Sequence, residues 1–298
     1  MENIADDLGA IATQTGVVIE GFHSGRADKG IDLASRDSRP LKQPKVALMV
    51  EPPFSTYTCG QIYFLFDQET ELPVERIRTS ILKQTSLPRF GQRYGYADLN
   101  DYDVLILPGG GDDLEKMFAK ESLESLKEWV RNGGVLIATE SAAKFFTQDK
   151  SKFSDVKLHE VKKDSSESAN YLAYEDREDF YGKKRIPGSA LSAKVDISHP
   201  LAFGVKPDLY SLKFGSDALK PDPDLQTVGY YSRDSTNLLV AGYASEENLK
   251  HLAGHTFAGV LPLGSGKLVF LIDNTQYRMF WRGPSRMMQN AVMLLPGM

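Results

Sequence analysis

Glu140 and Ser141 lie in the stretch Gly133-Gly-Val-Leu-Ile-Ala-Thr-Glu-Ser-Ala-Ala-Lys-Phe-Phe146, which reads as a short buried strand, a tight corner and a helix. A strained corner between strand and helix is a place where a fold presents a reactive side chain. The corner residue adopts an unusual backbone conformation and needs small neighbours; Ala138 and Ala142 supply them around Glu140. Ser141 is the nucleophile this stretch offers. A serine needs an adjacent base, and the sequence places none of its 5 histidines there, so a helix N-cap is the competing reading. The loop Pro108-Gly109-Gly110-Gly111 is a second candidate, because amides exposed at a helix start attract anions. Asp112 and Asp113 follow it and would repel an anion, which favours a tight turn feeding a capped helix.

Other residue types that do chemistry are less well placed. His251 and His255 have the i, i+4 spacing of a helical zinc pair, but Gly254 lies between them and no Glu accompanies them. Solvated or singly hydrogen-bonded imidazoles are expected there, and His199 before Pro200 reads as a turn residue. Cys59 beside Gly60 reads as a small packing residue on a helix. Leu263-Gly-Ser-Gly-Lys267 lacks the full phosphate-loop spacing and precedes a strand, so it reads as a hairpin turn. Arg278, Trp281 and Arg282, with Tyr277 and Phe280, form an aromatic and basic cluster of the kind found at interfaces.

The elements that would carry these residues follow from hydrophobic patterning. Residues 1–42 read as a leader or linker from a preceding domain, with a helix at Ile4 to Thr13, a strand at Gly16 to Phe22 and a polar connector from Ser24 to Pro40. Residues 43–298 read as one domain. Val46 to Val50 is a continuous apolar run, as expected of a strand buried on both faces, and Asp103 to Leu107 is the clearest strand. Tyr57 to Gln68 is a predicted helix, Val74 to Arg78 a strand, and Asp112 to Arg131 a long helix with Leu114, Met117, Phe118, Leu126, Trp129 and Val130 inward. This alternation implies an α/β fold with a parallel sheet and helices on both faces, whose ligand site lies beyond the C-terminal strand ends. Glu51, Gly109 to Asp113, Glu140 and Ser141 are expected to meet there. Residues 148–188 are a polar insertion, expected over the strand ends or partly mobile. The second half is β-rich, with strands at Ala190 to Ile197, Leu209 to Phe214, Thr227 to Tyr231, Leu238 to Tyr243, Phe257 to Leu261 and Gly266 to Ile272, then a helix from Pro284 to Leu295.

Composition narrows the function classes. The 298 residues are 41% hydrophobic and 25% charged with a net charge of −5, ordinary for a globular chain and without attraction for nucleic acid or anionic membrane. No apolar run approaches a membrane span, and the first residues carry no signal-peptide pattern. Cys59 is the only cysteine, so an internal disulfide is excluded.

Lys45 to Glu51, Leu107-Pro-Gly-Gly110, Val135 to Phe146 and Lys267 to Asp273 fall in the order of the class I glutamine amidotransferase-like fold, a flavodoxin-like arrangement. Ile186-Pro-Gly-Ser189, Asp196-Ile-Ser-His-Pro-Leu-Ala-Phe-Gly204, Ala241 to Lys250 and Asp273 to Gly283 are similar to a narrower group. That group is the amidotransferase-like domain at the C-terminal end of secreted bacterial zinc carboxypeptidases of the carboxypeptidase A type. Active amidotransferases use a corner Cys, with a His and a Glu after a late strand. By that resemblance Glu140 stands where the Cys belongs, and Asn274-Thr-Gln276 where His-Pro-Glu should follow the strand. The resemblance therefore implies a non-catalytic accessory domain, degenerate at Glu140, Ser141 and Asn274, outside the cytoplasm. The zinc and the peptidase chemistry would belong to a preceding domain, with no cofactor or metal in this chain. The other readings are a hydrolase reorganised around Ser141 and Glu140, and a small-molecule module over Glu51, Gly109, Gly110, Gly111 and Asp112.

Overall fold

The first strand, β1 (Val46–Met49), forms where the apolar run begins, and every residue of it is buried. In the computed structural model, residues 3–33, 35, 36, 38, 40–78, 99–111, 114, 118, 120–160 and 171–298 are described. Residues Met1–Leu41 and Lys42–Pro296 are two compact units.

In the first unit a helix runs over Ile4–Thr15 and closes on Gly16, whose φ of 69° is the left-handed conformation usual after a helix end. The strand expected at Gly16 to Phe22 does not form. Val17, Val18, Ile19 and Phe22 are exposed, and among the described residues no neighbouring strand pairs with them. Apolar residues without a hydrogen-bonded ladder do not make a strand.

In the second unit, β2 (Val74–Ile77), β3 (Val104–Leu107), β4 (Val135–Thr139), β5 (Ser189–Val195), β6 (Asp208–Lys213), β7 (Gln226–Tyr231), β8 (Leu239–Ala241), β9 (Thr256–Leu263) and β10 (Gly266–Leu271) complete a 10-stranded sheet among the described residues. Its order is β2-β1-β3-β4-β10-β9-β7-β5-β6, with β8 on β5. The first five strands in that order are parallel, and the rest pair antiparallel. The β-rich half therefore extends the same sheet. β3 and β4 are buried at every position, as parallel strands covered on both faces must be. β5 alternates between buried and more accessible residues.

The turn at Gly264 and Ser265 is the expected hairpin, and it reverses the chain so that β10 lies parallel to β4. This reversal positions the site. It brings Asp273 to Gln276, which follow β10, to the same sheet end as Glu140, which follows β4.

A helix spans Thr56–Phe64, capped by Ser55, and widens into a π-type turn over Leu65–Thr70. The long helix expected from Asp112 is described over Lys120–Arg131; Leu114, Phe118, Leu126, Trp129 and Val130 are buried. Asp112, Asp113 and Met117 lie outside the described residues, as do 161–170 of the polar insertion. The described part of that insertion holds a bridge from Leu158 to Leu219 and a helix at Asp176–Lys183. The last helix is Ser285–Met293.

Candidate functional site

Glu140 leaves β4 with φ of 51° and starts the helix Glu140–Phe146. A side chain at that φ strains the backbone, so the corner is the bend that the small neighbours of Glu140 anticipate. Gly109 lies so close that a Cβ there would fall 2.5 Å from Glu140 Oε2. At Gly110 a Cβ would fall 2.4 Å from the Pro53 carbonyl oxygen. These glycines let β1, β3 and β4 end against one another.

The Glu140 carboxyl faces inward. Thr58 Oγ1 donates to its Oε2 at 3.1 Å, and the Asn274 side chain also hydrogen-bonds it. Burial holds its pKa above the ordinary carboxylate value; the bonds from Thr58 and Asn274 oppose that rise, the charge of Asp273 adds to it and that of Lys213 offsets it. Asn274 Nδ2 donates to Gln61 Oε1 at 3.0 Å, and Asn274 Oδ1 accepts from the Gln276 amide at 3.1 Å. Asn274 thus ties the end of β10 to the helix Thr56–Phe64. Gln276 Nε2 is buried without a hydrogen-bond partner among the described residues.

Ser141 is the second residue of its helix and does not cap it. The N-cap position is Thr139, which makes no capping bond with its side chain. Ser141 Oγ instead reaches the neighbouring loop, accepting from the Gly110 amide at 2.6 Å and donating to the Gly110 carbonyl at 2.8 Å. The helix N-cap reading is corrected on this point: Ser141 lies inside the helix, one residue past its start, and its hydroxyl is taken up by the adjacent loop. The other glycine amides are also engaged. Gly109 N donates to Thr139 Oγ1 at 2.9 Å, and Gly111 N to the Pro53 carbonyl at 2.8 Å. Glu51 pairs with Arg78 at 3.5 Å in an exposed position. Asp112 lies outside the described residues.

A buried ion pair behind the corner was missed by sequence reasoning. Lys213 Nζ lies 2.8 Å from Asp273 Oδ1, with side chains 1% and 2% exposed. Ser211 Oγ and Tyr231 Oη donate to the other carboxylate oxygen, and Lys213 also donates to the Asp217 carbonyl. Beside this carboxylate the Tyr231 hydroxyl is pushed well above its usual range by burial and by the charge of Asp273. A signal existed: Leu209, Ser211 and Lys213 share the inward parity of β6, so the alternation already turns a lysine toward the core.

The remaining candidates occupy separate places. Cys59 is buried, donates to the Met49 carbonyl at 3.2 Å, and has its thiol pushed up to about 11 by desolvation. His199 Nδ1 accepts from the Leu201 amide at 3.0 Å, as a turn residue does. His251 and His255 stack with His159, and among the described residues no group of three or more His, Cys, Asp or Glu is arranged to hold a metal ion. Arg278 lies 5.3 Å from the Tyr277 ring centroid, Arg282 pairs with Glu69 at 2.9 Å, and Trp281 Nε1 donates to the Tyr210 carbonyl at 3.2 Å. Arg278 and Met279 both have positive φ, 47° and 59°.

The parallel half of the sheet, the loop after β3 and the corner after β4 make a flavodoxin-like α/β fold, the fold of class I glutamine amidotransferase-like proteins, with a carboxyl at the corner. A ThuA-like protein from Parabacteroides merdae matches it with a TM-score of 0.50 at 12% identity, over 86% of this chain and 89% of that one. A candidate GMP synthase component from Thermoplasma acidophilum aligns at 8% identity over 83% and 92% of the two chains, with a TM-score of 0.48. A β-galactosidase from Bacillus circulans aligns at 11% identity over 85% of this chain, TM-score 0.49, and this chain spans 32% of its length. No protein-family model and no curated protein matches the sequence. Among the described residues no helix is long and apolar enough to cross a membrane.

Proposed function

We propose that this chain is a non-catalytic amidotransferase-like accessory domain that serves as an interaction module of a secreted zinc carboxypeptidase. One observation carries the non-catalytic reading: the amides of Gly109, Gly110 and Gly111 are bonded inside the protein. Acyl transfer needs such donors free to meet the oxyanion of the transition state. Here Thr139, Ser141 and Pro53 occupy them. The two corner side chains are engaged as well, Ser141 by Gly110 and Glu140 by Thr58 and Asn274, and no imidazole is among these partners. The carboxypeptidase context rests on the sequence stretches from Ile186 to Gly283 that are similar to that group.

The experiment has two readouts. Purified chain is incubated with glutamine and with amide and ester substrates, and it is expected to release no ammonia or acid above buffer. Turnover that disappears in Ser141→Ala or Glu140→Ala would overturn the non-catalytic reading. The partner is tested by sequencing the coding region upstream of Met1 and by co-purification. A zinc carboxypeptidase domain joined to or retained by this chain is expected, and its absence from both would overturn that part.

A further inference from the structure

We infer that the stacked imidazoles of His159, His251 and His255 form an acid-sensitive clamp, which holds Lys157–His159 on the β-rich half and releases it as pH falls. The segment is the outermost rung of a short ladder in which Leu158 bridges Leu219 and Leu219 bridges Thr256. Its backbone is held by the His159 amide on the Ala218 carbonyl at 2.8 Å and the Lys220 amide on the Lys157 carbonyl at 2.9 Å. Few bonds hold it, so side-chain contacts decide how often it opens.

Those contacts are Leu158 against the hydrophobic core, the ion pair of Lys157 with Asp149, and the imidazoles. The His159 ring lies 3.8 Å from His255 and 4.3 Å from His251, with interplanar angles of 16° and 22°. His251 and His255 are 6.3 Å apart at 15°. Ring lone pairs lie in the ring planes, so near-parallel rings aim them past one another; the stack is not a chelating arrangement. Stacking of this kind requires neutral rings, since a proton on each would set like charges face to face.

The surroundings favour neutrality. His251 Nε2 and His255 Nδ1 each face a backbone carbonyl, Ser216 and Ala253, both at 3.1 Å, which fixes the proton on that nitrogen. His159 is faced by His255 from the loop before β9, by His251 from the helix Glu246–Leu252, and by Lys220. His251 is faced by His255, by Lys213 of β6 and by Asp217; its bond to the Ser216 carbonyl and the charge of Asp217 favour protonation, and burial outweighs them. Burial first, then the neighbouring His255 and His251 rings and the Lys220 ammonium, bring His159 from 6.5 down to about 4, and burial lowers His251 as well. An imidazole whose pKa is depressed in the closed state favours closure above its ordinary value. That contribution is lost as pH falls from 6.5 toward about 4, because the open state takes up the proton first. Phe153 and Val156, just before the clamped residues, line one side of a cleft of about 770 Å³, which faces Asp222, Asp224 and Leu263.

Amide exchange on the full chain, corrected for the intrinsic pH dependence of exchange, tests the clamp. One titrating histidine changes opening by at most about tenfold per pH unit. The His159 ring is half-buried and therefore partly screened. Protection of the His159 amide is expected to fall at least about tenfold between pH 7 and 4.5, while the Ile137 amide in β4 changes far less. His159→Phe keeps an aromatic ring in the stack without a titrating nitrogen, and it is expected to retain protection at pH 7 and lose most of the pH dependence. Unchanged wild-type protection, or a pH dependence undiminished in His159→Phe, would overturn the inference. If that variant does not fold, the imidazole titration of the wild type decides: His159 protonating well below 6.5 supports the clamp, and an ordinary titration overturns it.

Discussion

Ser141→Ala separates a structural hydroxyl from a catalytic one. In the structure Ser141 Oγ accepts from the Gly110 amide at 2.6 Å and donates to the Gly110 carbonyl at 2.8 Å. Removing the hydroxyl leaves a partly buried amide and carbonyl without that partner, and the loss of such a pair costs about 2 kcal/mol. Alanine is the better helix former by roughly half a kcal/mol, so the expected net destabilisation is about 1.5 kcal/mol. For a unit of this size that lowers the thermal midpoint by roughly 3–6 °C. The transition is followed by fluorescence of Trp129 and Trp281, and the same samples are treated with a serine-reactive fluorophosphonate. The expected outcome is a lower midpoint and no labelling of wild type or variant. A midpoint unchanged within about 1 °C, together with wild-type labelling that the variant loses, would refute the reasoning. In that case the hydroxyl would be free for a substrate and the glycine loop would not depend on it.

Further substitutions test the corner and the packing around the sheet. Glu140→Gln keeps the shape and the acceptor for Thr58; the wild-type carboxyl is raised above 4.5 by burial, so the native state retains a proton that the unfolded chain has released. Wild-type stability therefore falls relative to the variant as pH rises from 4.5, and urea midpoints at increasing pH should diverge in favour of Gln; convergence would contradict the burial argument. Lys213→Met removes the counter-charge of Asp273 in a site sealed from water and should cost about 3–5 kcal/mol in urea unfolding. The double variant with Asp273→Leu should cost less than the sum of the single changes; strict additivity would show that the two charges do not interact. Gly266→Ala would set a Cβ 1.9 Å from the Val130 carbonyl oxygen and 2.3 Å from that of Gly134, a clash with backbone expected to cost about 3 kcal/mol. Gly60→Ala, with nothing within 4 Å, lies inside a helix and should stabilise by about 0.5–1 kcal/mol; equal effects from the two changes would refute the packing argument.

Sequence alone determined the elements whose causes are local. The buried runs Val46–Met49, Val104–Leu107 and Val135–Thr139 are strands because continuous apolar residues suit a sheet covered on both faces. The corner was legible at Glu140 because its small neighbours and the adjoining strand and helix patterns lie within a few residues of it. The strand expected at Gly16 to Phe22 failed for the opposite reason: a strand exists through its partner, and apolar alternation carries no information about whether one is present.

Only the tertiary structure decided what the site residues touch. The β9–β10 reversal carries Asn274 to Glu140, and the meeting of β6 with the end of β10 buries Lys213 on Asp273. The same packing ties Ser141 to Gly110 and sets His159 against His251 and His255. These partners are far apart along the chain, and propensity and periodicity act over only a few residues. Hydrogen bonds and charge pairs at such separations are selected by packing, because a buried polar group must find a partner wherever the fold delivers one.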